Sequence, residues 1–130
     1  MKRDMEHEAG SGKGGVLQGA EAREEWQLAE LADFFGIFGD TTRTRILYEL
    51  AGGSLCVGEL ARRLRMTDSA VSHQLKVLRD NALVKAERRG KKVAYALSDE
   101  HVSIILATGL THLGEKWEAQ PGDEAAEVQA

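Results

Sequence analysis

Between residues 22 and 39, Leu28, Leu31, Ala32, Phe35 and Phe38 recur at helical spacing and predict an amphipathic helix. Trp26, Phe34 and Ile37 widen its apolar face. A helix that is apolar over two faces buries the second on another body, such as a partner subunit. Gly39-Asp40 ends this helix, and Thr41 or Thr42 is expected to cap a second, with Ile46, Leu47 and Leu50 inward. Gly52-Gly53 stops it. A third, short helix is expected from Val57 to Leu64, with Leu60, Ala61 and Leu64 inward. Arg65-Met66-Thr67 reads as a turn, and Thr67 or Asp68 as the cap of a fourth helix whose buried stripe is Ala70, Val71, Leu75 and Leu78. Two helices joined by so short a turn have the helix-turn-helix layout.

After Asn81 the helical period gives way to alternation. Val84 and Ala86, then Val93, Tyr95 and Leu97, predict two strands, joined by the basic tip Arg88-Arg89-Gly90-Lys91-Lys92. A last helix is expected from Glu100 to Trp117. The order α-α-α-α-β-β-α is that of a mainly α winged helix-turn-helix with a small β-hairpin and an extra terminal helix. Residues 1–20, rich in Gly, Lys and Glu, are expected to be a disordered arm, residues 21–117 the folded domain, and residues 118–130 a disordered acidic tail.

Composition narrows the class. The 130 residues are 42% hydrophobic and 29% charged, an ordinary balance for one soluble domain. Aromatics at 5% leave the core to Leu, Ile, Val and Ala. Cys56 is the single cysteine, which excludes a disulfide framework and a thiolate-rich zinc finger. No signal-peptide core opens the chain and no apolar run reaches the roughly 20 residues of a membrane helix, so a cytoplasmic location is expected.

The net charge of −4 conceals an uneven distribution. Residues 40–97 carry 12 Lys and Arg against 6 Asp and Glu, and both flanks are acidic. A local basic patch attracts polyanions even on an acidic chain. On the fourth helix, Ser69, Ser72, His73, Gln74 and Lys76 form an exposed side able to meet base edges and phosphates. The tip residues Arg88, Arg89, Lys91 and Lys92 would meet phosphates or the minor groove, and Arg43, Arg45, Arg62 and Arg63 would add backbone contacts. A merely solvated face is the alternative for either feature alone. The two together, with the short turn, favour double-stranded DNA as partner.

Three stretches carry a family pattern: Phe38-Gly39-Asp40-Thr41-Thr42-Arg43-Thr44-Arg45-Ile46-Leu47, Leu55-Cys56-Val57-Gly58-Glu59-Leu60-Ala61, and Ser69-Ala70-Val71-Ser72-His73-Gln74-Leu75-Lys76-Val77-Leu78. Over roughly residues 25–117 the chain resembles the ArsR/SmtB family of bacterial metal-sensing repressors. It departs at Thr41, where many members have proline. The resemblance implies a homodimer on an inverted-repeat operator, holding DNA when metal-free and releasing it when metal binds, so that metal-efflux or metal-sequestration genes are derepressed.

The last helix carries Asp99, His101, His112 and Glu115. Eleven residues separate the histidines, about 16 Å along a helix axis, whereas zinc–nitrogen bonds are about 2 Å. One chain therefore cannot bring both to one ion, but two antiparallel copies of the helix can. Asp99 and His101 of one chain would then meet His112 and Glu115 of the other, giving two equivalent sites per dimer. Asp99 must lie at or before the helix cap to stand beside His101. Two nitrogens and two carboxylate oxygens suit tetrahedral zinc, and cobalt or cadmium fit the same ligands, while nickel favours more. The arrangement looks like the terminal-helix zinc site of the family's zinc-responsive branch. Val102, Ile105, Leu106, Gly109, Leu110 and Leu113 fit a helix at an interface, Gly109 permitting close approach.

The resemblance also points to a second site, because some members carry thiolates on the third helix paired with an N-terminal arm. Cys56 matches one such position, with Glu59 at i+3 and His7 in the arm, but Gly58 stands where cadmium and lead sensors have a second cysteine. A buried, reduced cysteine acting as a small hydrophobe is the favoured alternative. A ligating His usually donates its other ring N–H to an acceptor. For His112 that acceptor is expected near Asn81 or Ala82, linking metal to reading head.

Three other readings compete. A zinc buffer without DNA function is opposed by the recognition helix and the basic wing. An enzyme is disfavoured: there is no H-E-x-x-H and no nucleophile–base pair, and four protein ligands leave no open position for a water. A winged-helix repressor sensing another metal or a non-metal signal, its last helix only dimerising, is the remaining alternative.

Overall fold

The computed structural model describes residues 23–119. The elements, in chain order, are α1 (Glu25–Phe38), α2 (Thr41–Leu50), β1 (Leu55–Cys56), α3 (Val57–Leu64), α4 (Asp68–Asp80), β2 (Val84–Arg89), β3 (Lys92–Leu97) and α5 (Glu100–Glu118). His7 and the two proposed disordered ends lie outside the described residues, apart from Glu118 and Ala119, which end α5 and its cap.

Helix α1 begins at Glu25, three residues later than its periodicity indicates, and buries none of its side chains. Trp26, Leu28, Leu31 and Phe35 are exposed on it. Chain contacts divide the protein at Gly36, and residues from Ile37 onward form the second compact unit.

That second unit holds the core. Ile46, Leu47, Leu60, Val71, Leu75, Leu78, Leu83 and Ala94 are essentially inaccessible to solvent. They come from α2, α3, α4, the turn before β2 (Leu83) and the sheet, with Val102 of the first turn of α5 closing one side. The inward positions expected on α2 and α3 are the buried ones. On α4 the stripe is Val71, Leu75 and Leu78, with Ala70 only half-buried at its edge.

The caps are local sequence chemistry. Asp40, rather than either threonine, caps α2, its carboxylate accepting from the Arg43 N–H at 2.9 Å. Thr41 then occupies the first helical position, the site where proline is best tolerated, so its departure from the family pattern costs little. The Thr67 hydroxyl caps α4, accepting from the Ala70 N–H at 3.1 Å. The turn between α3 and α4 closes through Arg65 in the left-handed conformation (φ 57°) and a Met66 N–H bond to the Ala61 carbonyl at 2.9 Å.

The sheet is larger than the alternation indicates. Leu55–Cys56 pairs antiparallel with β3, giving a three-stranded sheet of order β1-β3-β2. A two-residue strand is too short to leave a periodic signal. The hairpin is also tighter: the strands run to Arg89 and from Lys92, leaving Gly90-Lys91 as the turn, with Gly90 at φ 62°. On β3 the fully buried residue is Ala94, and Val93 is exposed. Ala94 has a strand neighbour on each side, Cys56 of β1 and Glu87 of β2, whereas Val93 lies beyond the end of β1.

Candidate functional site

The exposed surface of α4 is built by its own period. Val71, Leu75 and Leu78 turn inward, which leaves Ser69, Ser72, His73 and Lys76 outward. Gln74 departs from the expected reading face. It is half-buried, and its Oε1 is enclosed without a hydrogen-bond partner. Position 74 is three residues beyond Val71 and four before Leu78, so its side chain falls on the inward stripe itself. Lys76 pairs with Asp80 at 3.1 Å, an exposed i,i+4 contact on the same surface.

The four cations of the wing fall into different environments. Register pairs Arg88 with Val93 and Ala86 with Tyr95, placing these on one face of the sheet. Arg89 pairs with Lys92 on the other face. Arg89 donates to the Ser54 hydroxyl, which leads into β1, and Lys92 adds positive potential at Glu59. Lys91 sits in the turn itself. Of the outlying arginines, Arg43 donates to the Ile37 carbonyl at 3.2 Å and Arg63 pairs with Glu49 at 3.0 Å, while Arg45 and Arg62 are exposed.

Between α4 and the wing lies a groove of about 430 Å³ lined by Ser72, Leu75, Lys76, Arg79, Asp80 and Tyr95. Arg79, Asp80 and Tyr95 are absent from the sequence-derived DNA surface. Arg79 was legible, being seven residues, or two helical turns, beyond Ser72 on the same stripe. Tyr95 was not, because its approach to α4 depends on how the hairpin packs.

The candidate metal ligands divide as their spacing requires. Asp99 caps α5, accepting from the His101 N–H at 2.9 Å, and its carboxylate lies 3.4 Å from His101 Nδ1. An extended backbone at Asp99 (φ −162°) achieves this juxtaposition, which a helical Asp99 could not. His112 and Glu115 are exposed farther along α5. Among the described residues, no three His, Cys, Asp or Glu side chains of one chain converge on a common point. Of the expected apolar stripe on α5, Val102 is buried, Ile105 and Leu106 are half-buried, and Leu110 and Leu113 are exposed with Ile104 and Trp117.

Cys56 is half-buried rather than fully buried, and stands at the N-cap of α3. Its N–H donates to Glu59 Oε1 at 2.8 Å, half of a capping box. That bond holds the Glu59 carboxyl below the usual carboxylate range; slight desolvation opposes it, and Arg62, Arg63 and Lys92 reinforce it.

Comparison with known proteins places this geometry. Residues 40–86, from the α2 cap to the first strand of the wing, match the model of the bacterial regulatory protein, arsR family. A transcriptional repressor SmtB homolog of Synechocystis sp. is 42% identical over 89 residues, spanning 68% of this chain and 67% of that one. The chain belongs to the ArsR family. Among solved structures, the AntR antimony-specific transcriptional repressor superposes with a TM-score of 0.69 at 34% identity, covering 83% of this chain and 97% of its own. A homodimeric winged helix-turn-helix DNA-binding domain from Mycobacterium bovis gives a TM-score of 0.68 at 25% identity, covering 77% and 95%.

Membership makes the chain a winged helix-turn-helix transcriptional repressor related to metal sensors, in a family of regulators and not enzymes. In ArsR terms α3 and α4 are the helix-turn-helix and β2–β3 the wing. No helix of the described residues is long and apolar enough to cross a membrane.

Proposed function

We propose that this ArsR-family chain is a zinc-responsive repressor that binds an inverted-repeat operator as a homodimer and releases it when metal occupies two sites between the terminal helices. The observation that carries the reading is the split ligand set. Asp99 and His101 are already adjacent at one end of α5, while His112 and Glu115 share a face about three helical turns away. Each half offers one imidazole and one carboxylate, so a second copy running antiparallel completes a four-ligand set twice.

The face between the halves supports such a partner. Ile104 lies on the ligand stripe with its side chain more than half exposed. A Cβ added at Gly109 would meet nothing within 4 Å, leaving the backbone there open to a neighbouring helix. Homodimerisation of the related Mycobacterium bovis domain agrees with this arrangement.

The donor set fits zinc: two nitrogens and two carboxylate oxygens, without thiolate, in a number suited to tetrahedral coordination. Zinc, when bound, would supply a cross-link between the two protomers. The chain's own residues convert that link into a change at the reading head. Asp99 follows Ser98, and Ser98 is bonded to both Ala82 and Leu83 at the junction of α4 with the wing. The route from ligand to recognition helix therefore runs through Ser98 within one protomer. Ser98 Oγ donates to the Ala82 carbonyl, at the same junction where an acceptor for His112 is expected, and that carbonyl keeps a second lone pair for it. A Cys56–Glu59–His7 site is not part of this reading, because Glu59 is engaged in capping α3.

The test is fluorescence anisotropy of labelled DNA from upstream of the protein's own gene, titrated with apo-protein and then zinc at fixed salt. Tight binding reversed by zinc is the expected result. Tight binding indifferent to zinc would leave α5 as a dimerising helix and the inducer elsewhere.

A further inference from the structure

The groove between α4 and the wing has a built chemistry that base reading does not use. Ser72, Lys76 and Arg79 stand at i, i+4 and i+7, a single stripe along α4 some 10 Å long. Tyr95 closes the opposite wall. Two residues along β3 and across the ladder, Val93 and Arg88 continue the same sheet face toward the tip. The lining thus includes two cationic and two hydroxyl-bearing residues, drawn from both walls. The single anion among them is Asp80, which holds Lys76 at 3.1 Å.

Arg89 and Lys92 cannot serve this groove, since they occupy the other sheet face, with Arg89 on Ser54. Among the wing's cations, Arg88 alone lies on a strand face continuous with it.

We propose that this groove seats the DNA phosphate backbone between the major-groove and wing contacts, with Arg79 and the Tyr95 hydroxyl as phosphate donors and Asp80 as a built-in competitor for Lys76. The inference rests on the DNA-binding reading and adds to it residues that set where the duplex lies, not which bases are read. An incoming phosphate takes the place of the Asp80 carboxylate on Lys76. The exchange is favourable because Asp80 lies in the last turn of α4, where the carbonyl end of the helix disfavours an anion. Its exposed pair with Lys76 also contributes little to folding. Asp80 lowers affinity for any polyanion, so duplexes that present a phosphate at the right depth are favoured over loosely bound ones.

The test uses the full-length dimer with two labelled duplexes, one from upstream of its own gene and one scrambled, at several salt concentrations. Arg79→Gln is expected to weaken binding about three- to tenfold on both duplexes and to lower the salt slope by about one, as for a lost phosphate contact. Tyr95→Phe is expected to weaken both about threefold with the slope unchanged, since the lost group is neutral. Asp80→Asn is expected to tighten both about threefold and narrow the ratio between them. Wild-type slope and affinity in Arg79→Gln, or no tightening in Asp80→Asn, would overturn the groove assignment while wild-type binding kept the DNA reading intact. Failure of the wild-type protein to bind either duplex would overturn the DNA reading itself. All three positions lie outside the buried core, and circular dichroism melting is the check that each variant folds.

Discussion

The Ser98 hydroxyl donates to the Ala82 carbonyl at 2.6 Å, joining the end of the wing to the turn that leaves the recognition helix. The Ser98 N–H adds a second bond to the Leu83 carbonyl at 3.0 Å. Ala82 itself is in the left-handed region (φ 61°), so the junction is a specific conformation and not a slack loop. Ser98→Ala removes the side-chain bond and keeps the main-chain one. The expected cost in stability is about 1 kcal/mol. Apo-protein should bind operator within about threefold of wild type, while zinc should lose most of its effect on that affinity. Anisotropy with and without zinc measures both, and undiminished zinc response would show that the signal takes another route.

The split ligand set makes a complementation prediction. Homodimers of Asp99→Ala/His101→Ala, and of His112→Ala/Glu115→Ala, should each bind no zinc at the terminal helices. A heterodimer of the two should recover one site, assembled from the intact half of each chain. Zinc titration of the purified heterodimer is expected to give one ion per dimer against two for wild type. A heterodimer as empty as its parents would exclude ligation between subunits.

Leu110, Leu113 and Trp117 are exposed on α5 of a single chain. Leu113→Glu should leave the monomer folded, since Leu113 is exposed and outside the buried core, and weaken self-association. Sedimentation velocity is expected to show a shift to monomer, with melting that no longer depends on concentration. The aliphatic substitution Leu113→Met should remain dimeric.

The Thr67 cap positions the first turn of α4, which carries Ser69 and leads to Ser72. Thr67→Ala is expected to cost about 1 kcal/mol and to lower Tm by about 4–8 °C. Operator affinity should fall as well, because the turn that enters the major groove frays first. Thr67→Ser, which keeps the acceptor oxygen, should restore both.

Glu59 supplies a pH-dependent element. Its carboxyl is held below the ordinary range chiefly by the Cys56 N–H, so the folded state favours the ionised form. Its contribution is complete above the unfolded-state pKa and is lost as pH falls through the lowered folded-state value. Acid titration of Tm should therefore show a shallower decline in Glu59→Gln than in wild type, since the amide keeps a capping acceptor without a charge to protonate. Equal slopes would assign the acid sensitivity to other carboxylates.

Sequence periodicity was most informative where structure is local. The four helices before the wing and the terminal helix each follow from apolar spacing of about 3.6, and Asp40, Thr67 and Asp99 stand as short polar caps ahead of α2, α4 and α5. Where several candidates for a cap adjoin, spacing cannot choose: Asp40, Thr41 and Thr42 are consecutive, and the carboxylate that reaches Arg43 N–H is the one that caps. The candidate zinc ligands were legible because Asp99 precedes a helix and the two histidines are fixed in phase by it. Gln74 was misplaced although its phase was legible: it stands at i+3 from Val71 and i−4 from Leu78, on the inward stripe, and its polar side chain masked that position.

The sequence by itself determined the five helices, the helix-turn-helix, the basic hairpin and the separation of the histidines, since each depends on neighbours within a few helical turns. Tertiary structure decided the rest. Leu55–Cys56 becomes a strand only because β3 offers an edge to pair with. Arg89 and Arg88 part company because adjacent strand residues face opposite ways and Ser54 lies on only one side. Tyr95 meets Arg79 across a groove because hairpin and helix pack on a shared core from 16 residues apart in the chain. Such contacts are set by which surfaces exclude water together, and no local pattern of residues encodes them.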